Sequence, residues 1–334
     1  MRILIVTGIY PPEIGGPAEY AKNLKDVWIA EGHQVSVKVF GQFKKIPWGI
    51  RHILFLLYII PAVIKSDVIF TLDSFTAGVV VVAAKVFFKK VVFRTGGDAL
   101  WELYVDRTGD LVLLREFYKT RLENLSLKEK ITFYLIRWAL KNLSAIIWST
   151  EWQKNIFIEP YDLKNQRHFI VENYYGQKIL SKDPKMKNFI ASTRKTKWKN
   201  IETVRKVFAQ SEVVKSGAIL DTEVIPHDEF LDRLSISYAV IVVSLGDISP
   251  NTILDAIRSN KPFILTQENG LYNRIKDIGL FVDPQDPEDI KNKVLWLAKP
   301  ENYEAQKQKI ERFIFTHTWE EIGREYLAIY DSIK

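Results

Sequence analysis

The chain of 334 residues contains no cysteine. That absence excludes a disulfide framework and any thiolate metal or redox site. Only five histidines are present, and no two stand at the helical spacing of a zinc site. No G-x-G-x-x-G opens the chain, so a dinucleotide fold is not directly signalled. No D-x-D is present, so no acidic metal signature is either. The most apolar stretch, "ILFLLYIIPAVI" from Ile53 to Ile64, is twelve residues long and contains Pro61. It falls short of the roughly 20 residues that cross a bilayer. The opening "MRILIVTGIYPP" lacks the pattern of a signal peptide and reads as a buried strand entering a turn. What remains is an ordinary globular composition, 47% hydrophobic and 26% charged. Lys and Arg number 47 against 40 Asp and Glu, a formal charge of +7. That excess favours anionic partners. No basic arm or RNA-binding signature accompanies it, so nucleic acid is not among the partners expected.

The front half alternates strand and helix patterns. "RILIVT", "QVSVKVF", "DVIFTL", "KVVFRT", "AIIWS" and "HFIVEN" read as strands. "PAEYAKNLKDVWIAEG" and "FTAGVVVVAAKVFF" read as helices between them. Near-continuous apolar strands alternating with helices predict a parallel sheet covered on both faces. Ser126 with Glu129 and Thr318 with Glu321 have capping-box spacing, Thr150 with Gln153 caps another helix, and Asp286 precedes Pro287 at a further helix start. A polar stretch without period, "GQKILSKDPKMKN", reads as a link. The rear half restarts with the strand "NFIAST" and continues through "AVIVVS", "PFILT" and "GLFVDP". The stretch from Val213 to Val224 leaves little room for a full strand–helix pair. The expected division is 1–172, a link at 173–187, 188–315, and a terminal helix over 316–334.

Ligands of open α/β sheets bind at the carboxyl ends of strands, and three loops there carry candidate chemistry. In "YPPEIGGPAEY", Gly15 and Gly16 let the backbone approach a ligand, with helix-start amides behind them; the alternative is a plain turn. In "STRKTKWKN", Arg194, Lys195, Lys197 and Lys199 crowd one loop. They suit a diphosphate, a planar fork beside a point charge, or are simply a solvated basic loop. In "GDISPNTILDAI", Ser249 reads as an N-cap and Pro250 as the first helical residue, with the N–H groups of Asn251 and Thr252 free beyond them. Asp255 lies inside the apolar start of this helix and needs hydrogen-bond donors. Asp247 stands just outside it. A turn Asp and a surface Asp are the plainer reading.

Taken in order, these segments resemble the GT-B glycosyltransferases, specifically the retaining family GT4. "YPPEIGG" matches the family's PPxxGG, and "EGHQVSV", with His33, its GHxVxV. Arg194 and Lys199-Asn200 match an Arg followed five residues on by Lys with Gly or Asn. Asp247 and Asp255 stand where the family has two Glu separated by seven residues. "THTWEEIGREYLAIY" is similar to its last helix, which crosses back onto the first domain. The resemblance implies an α/β GT-B architecture, two Rossmann-like parallel-sheet domains facing across a cleft. It implies transfer of a hexose-type sugar, with retention, from a nucleotide-diphosphate sugar to a glycan or lipid-linked acceptor. It places the Gly16 amide at the donor phosphates, Arg194 and Lys199 on the diphosphate, and Asp255 on the ribose. Asp247 then holds sugar hydroxyls, and residues Ser249, Pro250, Asn251 and Thr252 surround the sugar and phosphates. The chain departs from the family by having Asp for both Glu. It also has "RTGGDALWE" where a His is usual, with Asp98 the nearest polar candidate and Glu102 next. No metal and no cofactor are expected, because the cationic loop can carry the charge stabilisation.

Lys44, Lys45, Arg51 and Lys65 surround the apolar run, together with Trp48 and Tyr58. A second helix carries Lys128, Lys130, Arg137 and Lys141 beside Phe133, Tyr134 and Trp138. Either these are core helices or they lie on an anionic membrane surface. The expected location is therefore cytoplasmic, with the inner face of the cell membrane as an open alternative. Two other readings stand beside transfer. One is a nucleotide-sugar or glycan-binding protein that has lost catalysis. The other is a Rossmann oxidoreductase, which the missing glycine fingerprint argues against.

Overall fold

A computed structural model describes residues 1–13, 15–191 and 194–334. The last two residues of the strand read as "NFIAST", Ser192 and Thr193, lie outside the described residues, as does Ile14 of the "YPPEIGG" loop. The strands are β1 (Arg2–Thr7), β2 (Gln34–Val39), β3 (Val68–Thr71), β4 (Val91–Arg94), β5 (Ala145–Trp148), β6 (His168–Ile170), β7 (Lys187–Ile190), β8 (Ala218–Asp221), β9 (Ala239–Val242), β10 (Phe263–Thr266) and β11 (Leu280–Val282). The helices are α1 (Gly16–Ala30), α2 (Ile50–Lys65), α3 (Ser74–Val86), α4 (Ala99–Thr108), α5 (Leu114–Thr120), α6 (Leu127–Lys141), α7 (Glu151–Ile158), α8 (Ile201–Phe208), α9 (Ser211–Lys215), α10 (His227–Ile236), α11 (Asn251–Arg258), α12 (Tyr272–Ile275), α13 (Pro287–Leu297), α14 (Pro300–Glu311) and α15 (Trp319–Ser332).

The chain divides into two compact units. The first comprises 1–100, 122–173 and 317–334, and the second 101–121 and 174–316. The first unit holds a six-stranded sheet in the order β2-β1-β3-β4-β5-β6, every pair parallel. Strands β3, β4 and β5 are buried along their whole length, as a sheet covered on both faces requires. Helix α15 is held to α1 by two polar contacts. The Trp28 indole N–H donates to the Gly323 carbonyl at 3.1 Å, and the Tyr20 and Tyr326 hydroxyls meet at 2.9 Å. A Cβ at Gly323 would stand 2.9 Å from Val27 Cγ1, so this close crossing needs a glycine. Helix α3 packs between α2 and α6. Pro61 lies inside α2, which runs on past it to Lys65. Proline forgoes one helical hydrogen bond there, and its exposed position leaves the deprived carbonyl within reach of water.

The second unit holds a five-stranded sheet in the order β11-β10-β9-β7-β8, again all parallel. One buried cluster, with Phe189, Val204, Ile241 and Val294, fills one side of it. A second, with Ile190, Phe230, Ile257 and Phe263, fills the other. The stretch 213–224 holds the strand β8 and only the last three residues of a helix that starts before it. The five-residue helix α9 and the four-residue strand β8 are joined through Gly217, at φ +80°. The sequence reading assigned no helix to α4, α5 or α14.

Candidate active site

In the second unit, the loops after β7, β9 and β10 collect the candidate residues at the carboxyl end of the sheet. Lys199 ends a short 3-10 turn and Asp247 follows β9. The Lys199 ammonium donates to Asp247 Oδ2 at 2.6 Å, and both side chains are mostly buried. The Ser244 hydroxyl donates to the same oxygen at 3.0 Å. The backbone fixes this pair from both sides. The Leu245 N–H donates to the Trp198 carbonyl at 2.9 Å, and the Asp247 N–H to the Glu268 carbonyl at 2.8 Å. Gly246 lies between them because a Cβ there would meet Leu114 Cβ at 2.5 Å. Arg194, largely exposed, lies 3.7 Å from the mostly buried Glu102. Its guanidinium carbon is 5.9 Å from the Trp198 ring centre, while Lys199 Nζ is 4.3 Å from it. The two cations expected to act together therefore flank one buried indole. Lys199, however, is already neutralised by Asp247.

Helix α11 begins at Asn251, with Pro250 in the N-cap position at ψ 112° and no side-chain cap. This corrects the expectation that Ser249 caps the helix and Pro250 begins it. The extended Pro250 displaces Ser249 by one residue, out of reach of the N–H groups it would cap. Among the described residues the Ser249 hydroxyl is buried without a hydrogen bond, as are Thr196 Oγ1 and the Trp198 indole N–H. Buried polar groups are nearly always paired. A hydroxyl at an uncapped helix start with no partner among the described residues is open to a donor or acceptor from water or a ligand. Such a start favours an anion.

Asp255 does have a protein donor. Its Oδ2 lies 3.0 Å from His227 Nε2, on the first residue of α10. The sequence reading missed this histidine, although a carboxylate among Ile253, Leu254, Ala256 and Ile257 calls for such a neighbour. It also missed Glu268, which follows β10 and is fully buried. Arg115 on α5 reaches Glu268 Oε1 at 2.8 Å, without hydrogen-bond geometry, and neither carboxyl oxygen has another partner among the described residues. Burial pushes this carboxyl up to about 7, with Arg115 opposing and Asp283 and Glu116 adding to it.

In the first unit, Gly15 is the N-cap of α1, at φ 156° and ψ 152°, and Gly16 is its first residue. A Cβ on Gly15 would approach Ile9 Cδ1 to 3.0 Å. Asp98 is buried, and its Oδ1 accepts the Leu100 N–H at 3.1 Å, so it also opens α4. Two neighbours escaped the sequence reading. Asp73 caps α3 through the Thr76 N–H at 2.9 Å, and burial raises its carboxyl. Arg94, at the end of β4, is buried against Asn173 Oδ1 at 2.6 Å and Ser149 Oγ at 3.0 Å. Its guanidinium carbon stands 3.9 Å from the Tyr20 ring centre. Among the described residues no cluster of three or more His, Asp or Glu is arranged to hold a metal ion.

With this geometry the chain is similar in structure to glycosyltransferases of the GT-B fold, and GT-B is the fold that its two parallel-sheet units define. Over 99% of its length it resembles sucrose-phosphate synthase from Thermosynechococcus elongatus, covering 98% of that chain at 13% identity and a TM-score of 0.73. It likewise resembles Anabaena HepE in complex with UDP-glucose, 99% of this chain and 100% of that one, at 13% identity and a TM-score of 0.66. A third is the lipopolysaccharide outer core galactosyltransferase WaaB, with the same coverage, 12% identity and a TM-score of 0.61. At these identities the likeness is one of fold. No protein-family model matches the chain, and no curated protein sequence does.

Proposed function

We propose that this protein is a glycosyltransferase of the retaining GT4 type. It moves a hexose-type sugar from a nucleoside-diphosphate sugar to a glycan or lipid-linked acceptor, without a metal ion. The observation that carries this reading is the start of α11. Helix α11 starts uncapped, with the Ser249 hydroxyl buried and unpartnered among the described residues, in the segment that runs from Asp247, paired with Lys199, to Asp255 on the helix itself. That HepE is described in complex with UDP-glucose, and an α-glucosyltransferase of similar fold in complex with UDP, supports the donor class.

The chemistry follows from the charges. Breaking the bond from the anomeric carbon to the phosphate oxygen adds a negative charge to a diphosphate that already carries two. The amides of Asn251 and Thr252, the Ser249 hydroxyl and Arg194 stabilise these charges, joined by Lys199 once its partner Asp247 is engaged elsewhere. Pro250, having no N–H of its own, leaves those amides as the first donors of the helix. For the phosphates to take Lys199, Asp247 must find other donors, and the hydroxyls of the transferred sugar are such donors. Asp255, oriented by His227, accepts from the ribose hydroxyls. In a retaining transfer the acceptor oxygen attacks the face the diphosphate leaves, and its proton passes to a departing phosphate oxygen. The first unit is proposed to hold the acceptor, with Asp98 as the polar candidate in the loop after β4. Gly15 and Gly16 offer backbone that a ligand can approach.

One observation favours a second reading. The Lys199–Asp247 pair is closed on itself at 2.6 Å, which suits a protein that binds a nucleotide sugar without transferring it. The test is proton NMR of the purified chain with UDP-, GDP-, ADP-, dTDP- and CMP-sugars and candidate glycan acceptors. Transfer gives a new anomeric doublet with the coupling constant of the donor. Lys199→Ala should then lower the rate by about 10²- to 10³-fold, the usual cost of losing one such stabilising group. A product with the opposite anomeric coupling refutes retention. Donor binding without turnover supports the second reading.

A further inference from the structure

We propose that the first unit docks on an anionic lipid bilayer through one face made of helices α2, α3 and α6. The sequence left open whether the apolar runs at 53–64 and 127–141 are core helices or surface ones. The structure shows that each has two apolar sides. Helix α2 buries only Phe55, Ile59 and Val63. It turns Ile50, Ile53, Leu54, Leu57 and Ile64 to solvent, with Leu57 59% exposed. Their spacing is that of a single helical stripe. Helix α6 buries Phe133, Ile136, Ala139 and Leu140. It exposes Leu127, Ile131, Tyr134, Leu135 and Trp138, again one stripe, with Leu127 at 76% and Tyr134 at 63%. Helix α3 lies between them and adds Phe75, Val82 and Val86. Lys85 of α3 reaches the Trp138 ring of α6 at 5.8 Å, so these two stripes adjoin.

Three neighbouring helices of this length cover on the order of 500 Å². A monomer seldom leaves a larger apolar patch in water. The charges choose the occupant. These three helices carry seven Lys and Arg and one acidic residue, Glu129, and Glu129 is buried in its capping box. Their net charge nearly equals the +7 of the whole chain. Arg137 and Lys141 share Asp162. Lys65, Lys85, Lys128 and Lys130 are exposed, and Lys44 and Lys45 stand ahead of α2. Trp48, Tyr58, Tyr134 and Trp138 are also exposed, the residue types that seat at the headgroup level. Two copies meeting through this face would bring like charges together. An apolar stripe fringed by flexible cations matches lipid tails beneath anionic headgroups. No helix among the described residues is long and apolar enough to cross a membrane, so the contact is an interfacial one. It rests on this surface and stands independently of the donor site.

The experiment is flotation of the full chain with phosphatidylcholine vesicles, alone or with about 30% phosphatidylglycerol, at low and high salt. The chain should float with the anionic vesicles and be released by salt. Leu57→Glu with Leu135→Glu should lower the partition coefficient at least about tenfold, and so should Lys128→Glu with Lys130→Glu. These side chains are exposed, so both variants should keep the wild-type circular dichroism and melting midpoint. No flotation with anionic vesicles overturns the proposal, as does flotation that both folded variants retain. A dimer in sedimentation velocity that Leu57→Glu dissolves, without vesicle binding, assigns the face to a second copy and overturns it too.

Discussion

Glu268 is a buried carboxyl whose proton is part of the fold, and replacing it with Gln isolates that contribution. Folding moves this group from 4.5 to about 7, because it is withdrawn from water, and the opposing charge of Arg115 does not offset that burial. The unfolded chain releases the proton near 4.5, whereas the folded protein holds it to about 7. Between those values the folded state binds more protons, so stability falls as pH rises through the window. Below it both states are protonated and the group costs nothing; above it the buried charge costs about 3 kcal/mol. About 2.5 kcal/mol of that falls between pH 5 and pH 8. Gln has the same shape and no charge to bury, so Glu268→Gln lacks this slope. Urea denaturation of both proteins at pH 5 and pH 8 measures the difference. The variant should gain about 2.5 kcal/mol on the wild type between the two pH values. A difference between the two proteins that does not change with pH refutes the reasoning.

Three further outcomes follow from the same geometry. Ser249→Ala removes a buried hydroxyl that has no partner among the described residues. It should leave the free protein as stable as the wild type, or up to about 2 kcal/mol more so, yet weaken nucleotide-sugar binding; thermal melts with and without donor separate the two effects. Gly246→Ala puts a Cβ 2.5 Å from Leu114 Cβ and should cost about 1–3 kcal/mol of stability in a urea titration. Asp255→Asn should weaken the nucleotide by about 10- to 100-fold in calorimetry, the range for losing a hydrogen bond to a charged group, and His227→Ala should weaken it less.

Where local chemistry decides the structure, the sequence is enough. The capping boxes at Ser126–Glu129 and Thr318–Glu321 form as their spacing predicts, and Thr150 and Asp286 cap their helices. The parallel strands follow from their apolar runs. Ser249 fails as a cap because the backbone of Pro250 is extended, and residue type alone does not distinguish ψ 112° from a helical value. Glu268 was invisible in "TQENG" because its burial and its partner Arg115 come from a helix far away in sequence. The pairing of Lys199 with Asp247 is likewise a long-range fact. The exposed face of helix α2 is not legible in the sequence for another reason. A helix apolar on nearly every side has no polar stripe to show which face meets water.

The central claim is that the start of α11, with Lys199 and Asp255, holds a nucleoside-diphosphate sugar. The most direct measurement is a thermal-shift titration of wild type, Lys199→Ala and Asp255→Ala against UDP-, GDP-, ADP-, dTDP- and CMP-sugars with EDTA present. A ligand of the native state raises the midpoint by mass action. One donor class should raise the wild-type midpoint in EDTA, and both variants should lose most of the shift. No shift with any donor, or equal shifts in all three proteins, would contradict it.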